Sequence, residues 1–179
     1  MDEILKWTIT HADKKLAVLS SKEKNGRLKQ ANPFFTLVEN ETLLSITLKY
    51  FVDTLKPNLK EVDLYNKDAF CWYSQHNKHV TLNVLTYFVE NLKFNVNHKT
   101  DLNTTPFLYF SSHISDTSIY DYLLKSKCVF GFSTEIIHPV NYISENPNLN
   151  VGLLEYFLDK KVDLTWKNIE GNFFTQFCK

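Results

Sequence analysis

Residues 97–110 read NHKTDLNTTPFLYF: a polar run, two threonines, a proline, and then an apolar stretch. Proline suits the first turn of a helix, where its missing N–H has no intrahelical bond to lose and its φ is already helical. Thr104 or Thr105, just ahead, can cap such a helix. The stretch therefore predicts a helix opening at Pro106.

The same construction recurs along the chain. Pro139 follows Pro106 by 33 residues and Phe173 follows by 34 more; Trp72 precedes Pro106 by 34, and Pro33 stands a further 39 back. Each anchor follows an apolar stretch of helical period and then a polar segment. Tyr50-Phe51, Tyr87-Phe88 and Tyr156-Phe157 occupy matching places, as do Asp63-Leu64, Asn95-Val96 and Asp163-Leu164. The copy before Pro139 keeps its leucine-rich helix and loses the acid. Helices are expected to start near 33, 43, 72, 80, 106, 118, 139 and 151. Polar fingers are expected near 57–69, 91–104, 126–136 and 160–171.

A period of about 33 residues with a Thr-Pro-like opening is the mark of ankyrin repeats, and the chain resembles that family over most of its length. Leu153-Leu154-Glu155-Tyr156-Phe157-Leu158-Asp159-Lys160-Lys161-Val162-Asp163-Leu164 is similar to the family's second helix and following loop. Thr105-Pro106-Phe107-Leu108 is similar to its Thr-Pro-Leu-His. Lys161 stands where the family has a loop glycine and Asn103 where it has a turn glycine. Asn tolerates the left-handed backbone better than other residues with a side chain. Leu37, His76, Phe110, Ile143 and Phe177 stand where the family has a small alanine.

The resemblance implies an all-α, ankyrin-like solenoid of about four to five units of some 33–34 residues. It would form a single domain over 1–179. Residues 1–31 would be an N-terminal helical cap (3–20) and connection, repeats would open near 33, 72, 106 and 139, and a partial unit would run from 173. The resemblance also implies a non-catalytic module that binds a protein through its concave helix and finger surface. Register places Thr36, Gln75, Tyr109, Tyr142 and Gln176 in the concave column. Tyrosine offers rigid contact area with a polar tip. The candidate partner-binding residues are Gln75, Lys99, Asp101, Tyr109, Tyr142, Lys167 and Glu170. A second reading makes the chain the ankyrin segment of a larger protein whose activity lies elsewhere.

Composition narrows the classes further. The 44% apolar content and 14 Phe suffice for a substantial core. Net charge is zero, and nineteen Lys accompany a single Arg, Arg27. That balance argues against nucleic acid or an anionic membrane as partner. Lys, Asn and Phe richness fits an AT-rich genome and, with degenerate repeats, a host-directed factor of a virus or intracellular bacterium. Cys71, Cys128 and Cys178 form no metal or disulfide pattern. The N-terminus is no secretory signal and no run is long enough to span a bilayer, so the expected location is cytoplasmic.

Chemical motifs are sparse. His76 and His79 have the spacing of a helical metal pair but no third ligand nearby. Ser112, His113 and Asp116 hold the letters of a hydrolase triad in what reads as an inter-helix loop. With four Gly and no phosphate-loop motif, the sequence predicts no catalytic residue, metal or cofactor. The expected state is a monomer, or association through the apolar C-terminal end around Phe173 and Phe177.

Overall fold

Pro33, Pro106 and Pro139 each supply the first residue of a helix. The structure, a computed structural model, describes residues 21–22, 28–29, 33–41, 43–130, 138–165, 167–168 and 171–172. The expected N-terminal cap helix, Glu170 and the partial unit from 173 lie outside them. The chain divides into two compact units, Met1–Phe94 and Asn95–Lys179.

The first unit carries a two-residue antiparallel pairing of β1 (Ser21–Lys22) with β2 (Leu28–Lys29). Helices α1 (Pro33–Val38), α2 (Ser45–Leu55), α3 (Ala69–His76) and α4 (Leu82–Thr86) follow, α4 continuing as a π-helical turn over Tyr87–Asn91. Helix α1 packs on α3 and α2 on α4. The core is aromatic. Phe88 is wholly buried, with ring centroids 4.9 Å from Tyr73 and 5.5 Å from both Phe70 and Phe94.

The second unit carries α5 (Pro106–Ser111), α6 (Thr117–Lys125), α7 (Pro139–Ser144) and α8 (Val151–Asp159), then a pairing of β3 (Lys167–Asn168) with β4 (Gly171–Asn172). Helix α5 packs on α7. Phe107 stacks on Phe130 at 4.2 Å, and Tyr120 meets Phe157 edge-on at 5.0 Å. The buried Tyr120 hydroxyl lies 2.8 Å from Ile114 O and 3.1 Å from Phe110 O, so its proton is satisfied inside the core. Apart from the two short hairpins, the described residues are all-α.

Two sequence expectations are corrected. Trp72 does not open a helix. Helix α3 starts at Ala69, because Asp68 caps it by accepting from Cys71 N–H at 2.8 Å. The shift is three residues, so Tyr73 rather than His76 falls in line with Leu37, Phe110 and Ile143. Tyr73 is buried, as those three are, whereas His76 is exposed. The cap expected at Pro106 also differs. Thr105 sits at the cap position without a side-chain bond to the helix, while the Thr104 hydroxyl turns to Tyr142 OH at 3.3 Å.

A finer periodicity lies in the loops. Lys56, Lys93, Lys127 and Lys161 all adopt positive φ, between 48° and 64°, at intervals of 37, 34 and 34 residues. Each follows the second helix of a pair. At Lys127 and Lys161 the helix ends in a Schellman arrangement: Cys128 N–H reaches Leu123 O and Val162 N–H reaches Phe157 O, both at 2.9 Å. Two residues on, Asn58, Asn95 and Asp163 each accept from the backbone N–H two positions later, at 3.1, 2.9 and 2.8 Å. Asn58-Leu59, not Asp63-Leu64, is thus the first member of that series. Val129 breaks it, having no acceptor. There Asn97 substitutes, its amide accepting from Val129 N–H and donating to Lys127 O.

Within each unit a buried asparagine ties one helix pair to the one before. Asn77 donates to Asn40 O at 2.7 Å, and Asn146 donates to Ser111 O and Ile114 O at 3.0 and 2.9 Å. Both stand four residues before the cap of a second helix, Thr81 and Asn150.

Candidate partner-binding site

A five-residue turn brings exposed side chains to helix α3 in the first unit. Asp63 N–H donates to Lys67 O at 2.9 Å, and Asn66 takes the left-handed conformation with φ 58°. Asp63 Oδ1 accepts from Tyr65 N–H and Lys67 N–H at 2.8 and 2.9 Å. Its second oxygen accepts from the Trp72 indole N–H at 3.1 Å, tying the turn to the helix. Trp72 stacks flat on Phe35 at 5.6 Å and on His76 at 5.0 Å. Lys67 Nζ donates to Gln75 Oε1 at 2.8 Å and lies 5.7 Å from the Tyr65 ring and 5.9 Å from that of Trp72. At the turn's tip, Leu64 is 65% and Tyr65 56% exposed.

The second unit repeats the turn. Thr100 N–H donates to Thr104 O, Thr100 Oγ1 accepts from Thr104 N–H, and Asn103 has φ 59°. Leu102, at the position of Tyr65, is 62% exposed. Lys99 and Asp101 flank it in solvent.

Of the predicted column, Gln75 is half-buried and held by Lys67, one turn beyond Trp72, which occupies the true register. Tyr142 is half-buried and meets Tyr109 edge-on at 6.5 Å. Tyr109 is only 8% exposed, so it supports Tyr142 rather than offering area of its own. Lys167 lies in β3, with its side chain outside the description, and Glu170 falls outside it altogether. Sequence reasoning missed Asp63, Tyr65, Lys67 and Trp72. Asp68, a strong capping residue three positions before Cys71, was the signal that would have corrected the register.

No protein-family model matches the chain, and no curated protein matches its sequence. In three dimensions it is similar to a chain in the solved structure of the Bd0816 predatory endopeptidase from Bdellovibrio bacteriovorus in complex with immunity protein Bd3460. The identity is 14% and the TM-score 0.48, covering 81% of this chain and 90% of that one.

Two of the triad letters meet, Ser112 Oγ lying 3.3 Å from His113 Nδ1. The Ser112 hydroxyl donates to Tyr109 O at 2.8 Å, and Asp116 caps α6 by accepting from Ser118 N–H. Burial pushes up the Cys71 thiol, and pushes that of Cys128 up to about 12, so both stay protonated at neutral pH. Burial also lowers the His76 and His138 pKa values. Among the described residues no helix is long and apolar enough to cross a membrane.

Proposed function

We propose that this chain is a divergent ankyrin-like repeat array that binds a partner protein without catalysis. Helix pairs recurring with α1 on α3, α2 on α4 and α5 on α7 support the repeat reading, as do the positive-φ lysines at intervals of 34 to 37 residues. The observation that carries the binding reading is the tip of the first turn. Leu64 and Tyr65 stand in solvent on a loop pinned by three hydrogen bonds to one carboxylate, beside Trp72. A preformed aromatic surface of this kind binds with little ordering cost. In the second unit, Tyr142, Leu102, Lys99 and Asp101 are the corresponding contacts.

The test is affinity capture with wild-type protein and a Leu64→Ser/Tyr65→Ser variant of unchanged helical circular dichroism. The expected result is a protein retained by the wild type and lost from the variant. Equal retention by both would reject this surface.

A further inference from the structure

One flank of α8 repeats a flank of α6, and of the two the flank on α6 is the buried one. The 34-residue interval from Lys127 to Lys161 matches Thr117, Tyr120 and Leu124 of α6 with Val151, Leu154 and Leu158 of α8. In α6, Tyr120 is wholly buried, because α8 lays Tyr156 and Phe157 against its ring at 6.0 and 5.0 Å. The adjoining acid, Asp121, accepts from the Tyr156 hydroxyl at 2.9 Å. Leu154 and Leu158 each stand two residues from Tyr156, about 200° round the helix, so they face away from α6. There Leu154 is half-buried, Leu158 is 55% exposed and Val151 71% exposed. The acid matching Asp121 on this flank is Glu155, which is exposed. Among the described residues its carboxylate has no partner, whereas neighbouring Asp159 has Lys160 Nζ at 3.2 Å.

We propose that this flank of α8 takes a basic amphipathic helix of a partner protein, lying on α8 as α8 lies on α6. An aromatic or aliphatic side chain of that helix covers Leu154 and Leu158, and a Lys or Arg beside it meets the Glu155 carboxylate. An acidic helix would meet Glu155 and Asp159 head-on, and a purely apolar one would desolvate Glu155 without a counter-charge. Use of the flank in this way presumes the repeat array proposed above, and it shares no residue with the first turn.

A phage-displayed library of helix-favouring peptides, panned against the full chain, tests the assignment. Binding of the enriched peptides is then measured by fluorescence anisotropy with wild type, Leu158→Ser, Glu155→Gln and the Leu64→Ser/Tyr65→Ser variant, each checked by circular dichroism. The expected peptides carry Lys or Arg one helical turn from a large apolar residue. Leu158→Ser should weaken them about tenfold, the effect of losing one covered apolar side chain. Glu155→Gln should weaken them about threefold, while Leu64→Ser/Tyr65→Ser leaves binding unchanged. Added salt should weaken wild-type binding more than that of Glu155→Gln. Acidic or uncharged consensus peptides would overturn the proposal. Peptides indifferent to Leu158→Ser and Glu155→Gln but lost with Leu64→Ser/Tyr65→Ser would reject this flank and leave the first turn as the binding surface. Self-association in sedimentation velocity, abolished by Leu158→Ser, would make the occupant a second copy and overturn the partner assignment. Recovery of no peptide would overturn the proposal.

Discussion

The turns Asp63–Lys67 and Thr100–Thr104 have one backbone and two outcomes. In each, the first residue's N–H meets the fifth residue's carbonyl, at 2.9 and 3.0 Å, and an asparagine takes positive φ, 58° and 59°. In each, the first side chain accepts from the fifth N–H. A carboxylate has a second oxygen and a hydroxyl does not. Asp63 uses it to hold Trp72 on the following helix. Thr100 has no second oxygen to extend to the helix, and the second turn is tied through Thr104 to Tyr142 instead. The backbone turn is thus set by position and the asparagine, while the aromatic is anchored by the first residue, Asp63, in one turn and met by the fifth, Thr104, in the other.

Removing the first side chain separates the two turns most sharply. Asp63→Ala leaves three donors without their acceptor and should cost about 2 kcal/mol, against about 1 kcal/mol for Thr100→Ala, which frees one. Urea denaturation measures both. Asp63→Thr converts the first turn into the second: the Lys67 N–H bond survives, and the Trp72 indole proton loses its acceptor and shifts upfield in the NMR spectrum. Equal costs for the two alanine variants would break the comparison.

The sequence disclosed helices, prolines and aromatic pairs because each has a compositional mark. It misplaced α3 because Phe70-Cys71-Trp72-Tyr73 is apolar throughout, and a shift of three residues is nearly one helical turn, which leaves the same face inward. Tyr109 read as a contact because its side chain type suits one; only the packing of its neighbours shows it buried. The positive-φ positions at Lys56, Lys93 and Lys127 were invisible, since lysine is an ordinary surface residue. Resemblance pointed to Lys161 and Asn103 alone, where a glycine was expected.

The caps of the first helices extend the comparison to pH. Asp68 caps α3, whereas α7 is capped by the buried His138, whose Nδ1 accepts from Val140 N–H at 3.2 Å. Accepting requires that nitrogen to be unprotonated. Burial holds the folded pKa below the ordinary histidine value of about 6.5, and nearby Asp163 opposes that only in part. The unfolded chain therefore takes the proton first. The contribution is complete above about pH 6.5 and is lost as pH falls toward the lower folded value. His138→Asn keeps a capping acceptor and should flatten the pH dependence of stability below about pH 7. His76, also depressed by burial, leaves a residual slope of the same sign. An unchanged profile would show that the cap does not titrate.

The smallest expected effects test the repeat itself. Urea denaturation of single Gly and Val variants at Lys56, Lys93, Lys127 and Lys161 is the most direct measurement. A side chain in the left-handed region costs about 1 kcal/mol and glycine none, so each Gly variant should be as stable as wild type or gain up to about 1 kcal/mol. Each β-branched Val variant should lose at least about 1 kcal/mol. That pattern at all four positions is what an array with this period requires. Glycine destabilising as much as valine at Lys93 and Lys127 would contradict it.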